Sequence, residues 1–211
     1  MCSIHHDLKA IYIHIPKTGG SYVSSVLSQY YGFKTYYLKR PDHNNFTKIH
    51  DKSVDKHENK LIGTFLYYST SPHLNQIMNM NPHKWKSYRI FTFVRNPLDR
   101  IQSAYHYTKK KYYPQLTIDQ FFKNRFQLNC WTYWHSFMSQ LSHIVNEKNE
   151  NICFLIGKQE NLETDLRYII ETLGLKVKHT SFIKNKTHYQ STSIDHWKHL
   201  FLKDLEHFPH Q

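Results

Sequence analysis

Residues 11–21 read Ile-Tyr-Ile-His-Ile-Pro-Lys-Thr-Gly-Gly-Ser, an apolar, β-prone run that stops at a proline, a lysine and two glycines. Gly19 and Gly20 permit a turn with φ > 0 and let backbone N–H groups approach a bound oxygen closely. A helix starting at Ser21 would point its unpaired first-turn N–H groups at the same place. Lys17 adds a full positive charge. The stretch reads as an anion cradle set between a buried strand and a helix, and few architectures place one there.

The rest of the chain repeats that alternation. Apolar runs bounded by turn signals predict strands over 10–15, 61–66, 88–94 and 151–155, each followed by a helical pattern. Helices are expected over 21–31, 72–79, 97–109, 118–124, 131–146, 162–173 and 193–207. Pro97 suits a first turn, where its missing N–H costs nothing, and Gly174 suits a helix stop. Residues 39–60 are polar, charged and aperiodic, so they read as a long loop of the kind that often carries function. Strands alternating with helices mean α/β with a mostly parallel central sheet flanked by helices. The 211 residues contain no Pro/Gly/Ser-rich linker, so 1–211 reads as a single domain with its motif-bearing core over 10–208.

Lys and Arg outnumber Asp and Glu by 28 to 16, giving a net charge of +12 that favours anionic partners without choosing among them. Cys2, Cys130 and Cys153 are odd in number and widely spaced, which argues against a disulfide framework and a zinc ribbon and fits a reducing compartment. The nine residues before the first expected strand, which include His5 and His6, read as a frayed end too short for a signal peptide. No run of about 18 apolar residues is present to span a bilayer. The expected location is therefore cytoplasmic, or the Golgi lumen if the chain is a truncated form. The 17 histidines show no HExxH or comparable spacing, so no metal is expected. Tyr107-Thr-Lys-Lys-Lys-Tyr-Tyr113 alone interleaves aromatic and basic residues, and it reads as a solvated helix end. No nucleic-acid partner is expected from it.

The cradle differs from the loop of ATP and GTP enzymes, G-x-x-x-x-G-K-[ST], in which the lysine follows the second glycine. Here Lys17 comes first, and no aspartate suits magnesium binding in the manner of a nucleotide triphosphatase. A second motif, Phe91-Thr-Phe-Val-Arg-Asn-Pro-Leu-Asp-Arg-Ile-Gln-Ser-Ala-Tyr105, is another buried strand that delivers an arginine to its C-terminal end before a helix. Ligands bind at that end of open α/β sheets. Arg95 can clamp a phosphate through two charge-assisted hydrogen bonds, and Ser103, two turns on, offers a hydroxyl to the same group. Asp99 and Arg100 read as decoration of the helix. The competing reading makes the cradle a tight connection and Arg95 a structural ion pair. It is disfavoured because a buried-strand arginine is costly unless paired.

The two motifs together resemble the 5′-phosphosulfate and 3′-phosphate loops of sulfotransferases that use 3′-phosphoadenosine 5′-phosphosulfate (PAPS). Their carbohydrate and heparan-sulfate-type branch is the nearest in likeness. Phe154-Leu-Ile-Gly-Lys-Gln-Glu-Asn-Leu162, Leu173-Gly-Leu175 and Asn185-Lys-Thr187 are similar to later landmarks of that branch. The resemblance implies a P-loop NTPase-like three-layer fold and transfer of a sulfuryl group to an acceptor hydroxyl, on a glycan or glycolipid. It implies that Lys17, Thr18, Gly19, Gly20 and Ser21 hold the 5′-phosphosulfate, with Lys17 also catalytic, and that Arg95 and Ser103 hold the 3′-phosphate. Lys186 would close over the cofactor. Adenosine 3′,5′-bisphosphate (PAP) would be the product, and no metal would be required.

One position departs from the pattern. Relatives with heparan uronosyl-type activity carry a His after a Gly on the strand preceding the arginine strand, and here that pair is Gly63-Thr64. Threonine cannot take a proton at neutral pH, whereas a His or Glu can. His57 is the first candidate base, beside Glu58 and ahead of the strand at Leu61, with His50 and His73 behind it. Two other readings stay open: a P-loop-like kinase or nucleotide hydrolase, and a catalytically impaired protein that binds PAPS or an acidic polymer.

Overall fold

The computed structural model describes residues 2–36, 86–125, 136–146, 148–178 and 194–208. Its centre is a sheet of five strands in the order β3-β1-β2-β4-β5: β1 (Cys2–His5), β2 (Ala10–Ile13), β3 (Lys34–Tyr36), β4 (Arg89–Val94) and β5 (Leu155–Lys158). β2 pairs parallel with β4, and β4 with β5, while β1 pairs antiparallel with both β2 and β3. Four of these five strands therefore point the same way and β1 runs against them. The α/β class with a mostly parallel central sheet is as the sequence predicts.

The helices are α1 (Gly20–Tyr31), α2 (Pro97–Lys111), α3 (Ile118–Lys123), α4 (Leu162–Thr172) and α5 (Leu202–His207). Every residue of β2 is buried, as expected for a strand covered on both faces. Alternate side chains go to opposite sides. Ala10 and Tyr12 join Phe91 and Phe93 against Val23, Val26 and Leu27 of α1 and Leu166, Ile169 and Ile170 of α4. On the other side Ile15 and Val94 meet Ile144, with Leu141, Ile156 and Phe208 half-buried around them. A further cluster joins Ile101, Ala104 and Tyr105 of α2 to Phe121 and Phe122 of α3 and to Phe201. The helices thus flank the sheet in layers.

The N-terminus departs from its expected fraying. Residues 2–5 are β1, turned back by a bond from Lys9 N to His6 O and held to β3 by the Ser3 and Thr35 hydroxyls, 2.9 Å apart. Ser3 and Ile4 are fully buried. One apolar residue among polar neighbours gave that strand no visible period.

Three other spans also differ. The fourth expected strand, 151–155, is displaced to Leu155–Lys158. The chain first comes alongside β4 where Phe154 N donates to Ile90 O at 2.6 Å, and the ladder begins at Phe91↔Leu155. Of the described part of the helix expected over 131–146, Ser136 and Phe137 are helical, and from residue 138 the chain is irregular with a 3-10 turn at Leu141–His143. Its N–H groups are taken by a side chain, since Gln140 N and Leu141 N both donate to the Asp204 carboxylate. Residues 195–201 form a 3-10 helix before α5, with Trp197 stacked on Phe122 at 4.9 Å, so no single helix runs to 207. The expected strand 61–66, helix 72–79 and loop 39–60 lie outside the described residues. No helix among the described residues is long and apolar enough to cross a membrane.

The turn from β4 into α2 is capped by Asn96, whose side chain accepts from Leu98 N and Asp99 N ahead of Pro97 in the first turn. We expect Asn96→Ala to lower stability by about 1 kcal/mol. Asn96→Asp, which keeps the acceptor, should recover most of it, as read from urea unfolding midpoints.

Candidate active site

The register of β2 and β4 sets the site. Ile13 lies opposite Thr92, and the Thr92 hydroxyl donates to Ile13 O at 2.6 Å, so the loops after the two strands leave the same edge of the sheet side by side. The segment after β5 joins them, because Leu162 and Gln159 pack on Gly19. Three loops therefore meet at the C-terminal ends of three parallel strands.

Within the cradle, Thr18 is buried and its hydroxyl donates to Ile15 O at 2.9 Å, closing the turn. Gly19 is the N-cap of α1 at φ 83°, in the left-handed region, and no side chain caps the helix there. Tyr22 N donates to Gly19 O at 3.0 Å, so the groups of the first turn that a ligand could take are the N–H groups of Gly20 and Ser21. Lys17 also has a positive φ, 69°, a conformation costly for a residue with a Cβ. Gly20 sits directly over the His14 ring, where an added Cβ would come within 2.0 Å of it. Ser21 is exposed in the first helical turn.

Arg95 leaves the end of β4 toward this loop, and its Nη1 donates to Lys17 O at 3.4 Å. Arg100, expected to decorate α2, is instead 2% exposed: its Nε donates to Pro16 O and its Nη1 to Met138 O, both at 2.9 Å. Tyr107 lies two turns further along α2 with its ring centroid 4.5 Å from Lys17 Nζ. Arg100, Ser103 and Tyr107 are spaced by three and four residues, so one face of α2 runs along the cradle and carries Ser103, which is buried.

The cluster is strongly cationic. Burial, then Arg95 and Arg100, lower the Lys17 ammonium to about 8. Burial likewise lowers Arg100 to about 10, opposed by the Asp204 carboxylate. A buried ammonium lowered by two neighbouring guanidinium groups gains from an added polyanion.

The structure thus brings Lys17, Thr18, Gly19, Gly20 and Ser21 together with Arg95 and Ser103. Lys186, His57, Glu58, His50, His73 and Thr64 lie outside the described residues. Sequence reasoning missed Arg100, Tyr107, Gln140 and Asp204 as parts of this site. The spacing of Arg100 and Tyr107 about Ser103 was the available signal for the first two. Among the described residues no three His, Cys, Asp or Glu side chains cluster as metal ligands would.

Comparison with known proteins bears on the fold and the family. The crystal structure of a sulfotransferase from Alicyclobacillus acidocaldarius superposes with a TM-score of 0.58 over 92% of each chain, at 17% sequence identity, which establishes likeness of fold. No curated protein sequence matches the chain. The model of the sulfotransferase family matches residues 2–208, nearly the whole length, and the chain belongs to that family.

Proposed function

We propose that this protein transfers the sulfuryl group of PAPS to an acceptor hydroxyl on a carbohydrate, releasing PAP. The observation that carries the donor assignment is the meeting of the two basic loops, with Arg95 Nη1 on Lys17 O at 3.4 Å. A nucleotide with anionic groups at both its 5′ and 3′ positions matches a site with cations on two adjacent strand ends. The bare N-terminus of α1 and Lys17 suit the 5′-phosphosulfate. Arg95 and Ser103 suit the 3′-phosphate, and Lys186 is assigned to close over the nucleotide.

In this reading the acceptor oxygen attacks sulfur as the bond from sulfur to the 5′-phosphate oxygen breaks, and that oxygen leaves with the electron pair. Lys17 stabilises the developing charge, which is where a positioned cation contributes most. The acceptor proton passes to a base, for which His57 is the assigned candidate. A carbohydrate acceptor is supported by the likeness of the motifs to the glycan branch and by the net charge of +12.

Lys17→Ala is expected to abolish transfer from labelled PAPS across a mixed panel of hydroxyl acceptors while the protein still unfolds in one cooperative transition. Retained turnover would remove Lys17 from catalysis. Thermal-shift titration should show stabilisation by PAP and none by ATP with magnesium, and the reverse result would favour a kinase or nucleotide hydrolase. Tight PAP binding without transfer to any acceptor would favour a cofactor-binding protein. Arg95→Ala should weaken PAP by about 1.5–3 kcal/mol, the range for a hydrogen bond to a charged group.

The lowered Lys17 ammonium gives a pH dependence. An anion prefers the protonated form, so below about pH 8 the charge is already present and affinity does not depend on Lys17 titration. Above that pH the free protein loses the proton and must regain it on binding. PAP affinity should then fall by up to about tenfold per pH unit. Calorimetry in buffers of differing ionisation enthalpy should show proton uptake near pH 9 that is absent in Lys17→Arg.

A further inference from the structure

We propose that Gln140 and Asp204 are positioning residues of the donor site: Asp204 fixes Gln140, and the Gln140 carboxamide fixes the direction in which Arg95 leaves β4. This rests on the donor reading given above.

Arg95 stands one residue beyond the last rung of the β4–β5 ladder, Val94↔Lys158, and one residue before the N-cap of α2. Its peptide N–H and C=O need partners that neither the sheet nor the helix supplies. Gln140 supplies both. Its Oε1 accepts from Arg95 N at 2.8 Å, and its Nε2 donates to Arg95 O at 2.8 Å. A carboxamide has the same donor and acceptor pair as a peptide group, so the side chain extends the sheet by one rung. Gln140 is fully buried in doing so.

Gln140 is itself held from the C-terminal helix. Asp204 of α5, 2% exposed, accepts from Gln140 N at 2.9 Å, from Leu141 N at 3.2 Å and from the Ser139 hydroxyl. The same segment is tied to the cradle by Arg100 Nη1 on Met138 O. Residues 138–141 are therefore anchored to α5 on one side and to two arginines of the site on the other. A pair that only stabilised the fold would have no reason to end both of its hydrogen bonds on the peptide of the residue whose guanidinium meets Lys17 O. Moving that peptide re-aims the guanidinium and leaves the rest of β4 in register. A misplaced contact of this kind weakens binding without removing any charge.

The test is calorimetric titration of PAP into the full chain carrying Gln140→Leu, Asp204→Asn or Arg95→Ala, and the Gln140→Leu/Arg95→Ala pair. Gln140→Leu is expected to weaken PAP by about tenfold or more, the loss for buried hydrogen-bonding groups left unpaired. Asp204→Asn, which keeps one acceptor oxygen and serves if the first variant folds poorly, should act in the same direction and less strongly. In the Arg95→Ala background Gln140→Leu should change affinity by under about twofold, because the two residues act as one unit. Unchanged affinity in the single variants overturns the inference. So does an equal loss with and without Arg95, which would mark general damage.

Hydrogen exchange of the Arg95 amide gives a reading independent of the donor. It should be protected in wild type and exposed in Gln140→Leu. If wild type does not bind PAP at all, the donor assignment falls, and equal exchange in the two proteins would then overturn the role of Gln140 by itself.

Discussion

The Arg100 guanidinium is the tie on which the site's geometry depends. Taking a charge out of water is expensive, and the cost is met only where hydrogen bonds and a counter-charge replace the lost hydration. Here Nε reaches the Pro16 carbonyl, Nη1 reaches the Met138 carbonyl and the Asp204 carboxylate favours the charged form, while Nη2 is buried without a hydrogen bond and burial still lowers the group. Those partners lie on the cradle loop, on the segment before the C-terminal helices and on α5. One side chain thus joins parts of the chain separated by 84 and 38 residues. The same charge lowers Lys17, so the group that fixes the cradle's shape also raises its appetite for an anion.

Much of this was legible in the sequence because it rests on local backbone demands. Two glycines after a buried run permit a turn with φ > 0, and Pro97 after another buried run suits the first turn of a helix. Gly19 at φ 83° and Pro97 in the first turn of α2 are direct consequences. What was not legible depends on partners far apart in the chain. Nothing near Gln140 indicates that its carboxamide completes a strand 45 residues earlier. Nothing near Asp204 indicates that it replaces the hydrogen bonds of a helix expected over 131–146. Arg100 looked like a surface residue because an arginine in an amphipathic helix usually is one, and only its partner 84 residues away says otherwise. β1 was hidden for the opposite reason: a short strand in a hairpin, with one apolar side chain, carries too little period to be seen.

The separation of local from long-range signals bears on how donor and acceptor are encoded. An anion is recognised by backbone N–H groups and a few fixed cations, and these need particular residue types at particular backbone conformations. The cradle is therefore readable as a short string in the sequence alone. An acceptor is recognised by side chains from several surfaces, none bound to one backbone geometry. In the proposed reading His57, the candidate base, belongs to that second kind.

Lys17 shows how the two encodings meet. Its ammonium rests on the Tyr107 ring at 4.5 Å, and the Tyr107 hydroxyl in turn accepts from Lys111 at 2.9 Å, in the run that reads as a solvated helix end. A cation held by an aromatic face is stabilised without being neutralised, so its full charge stays available to a ligand, whereas a carboxylate partner would have to be displaced first. The positive φ of Lys17 acts in the same direction, since a backbone held in the left-handed region leaves the side chain fewer places to go. Strain and an aromatic support thus hold one ammonium over the cradle, while burial and the neighbouring guanidinium groups lower it and so sharpen its preference for an anion.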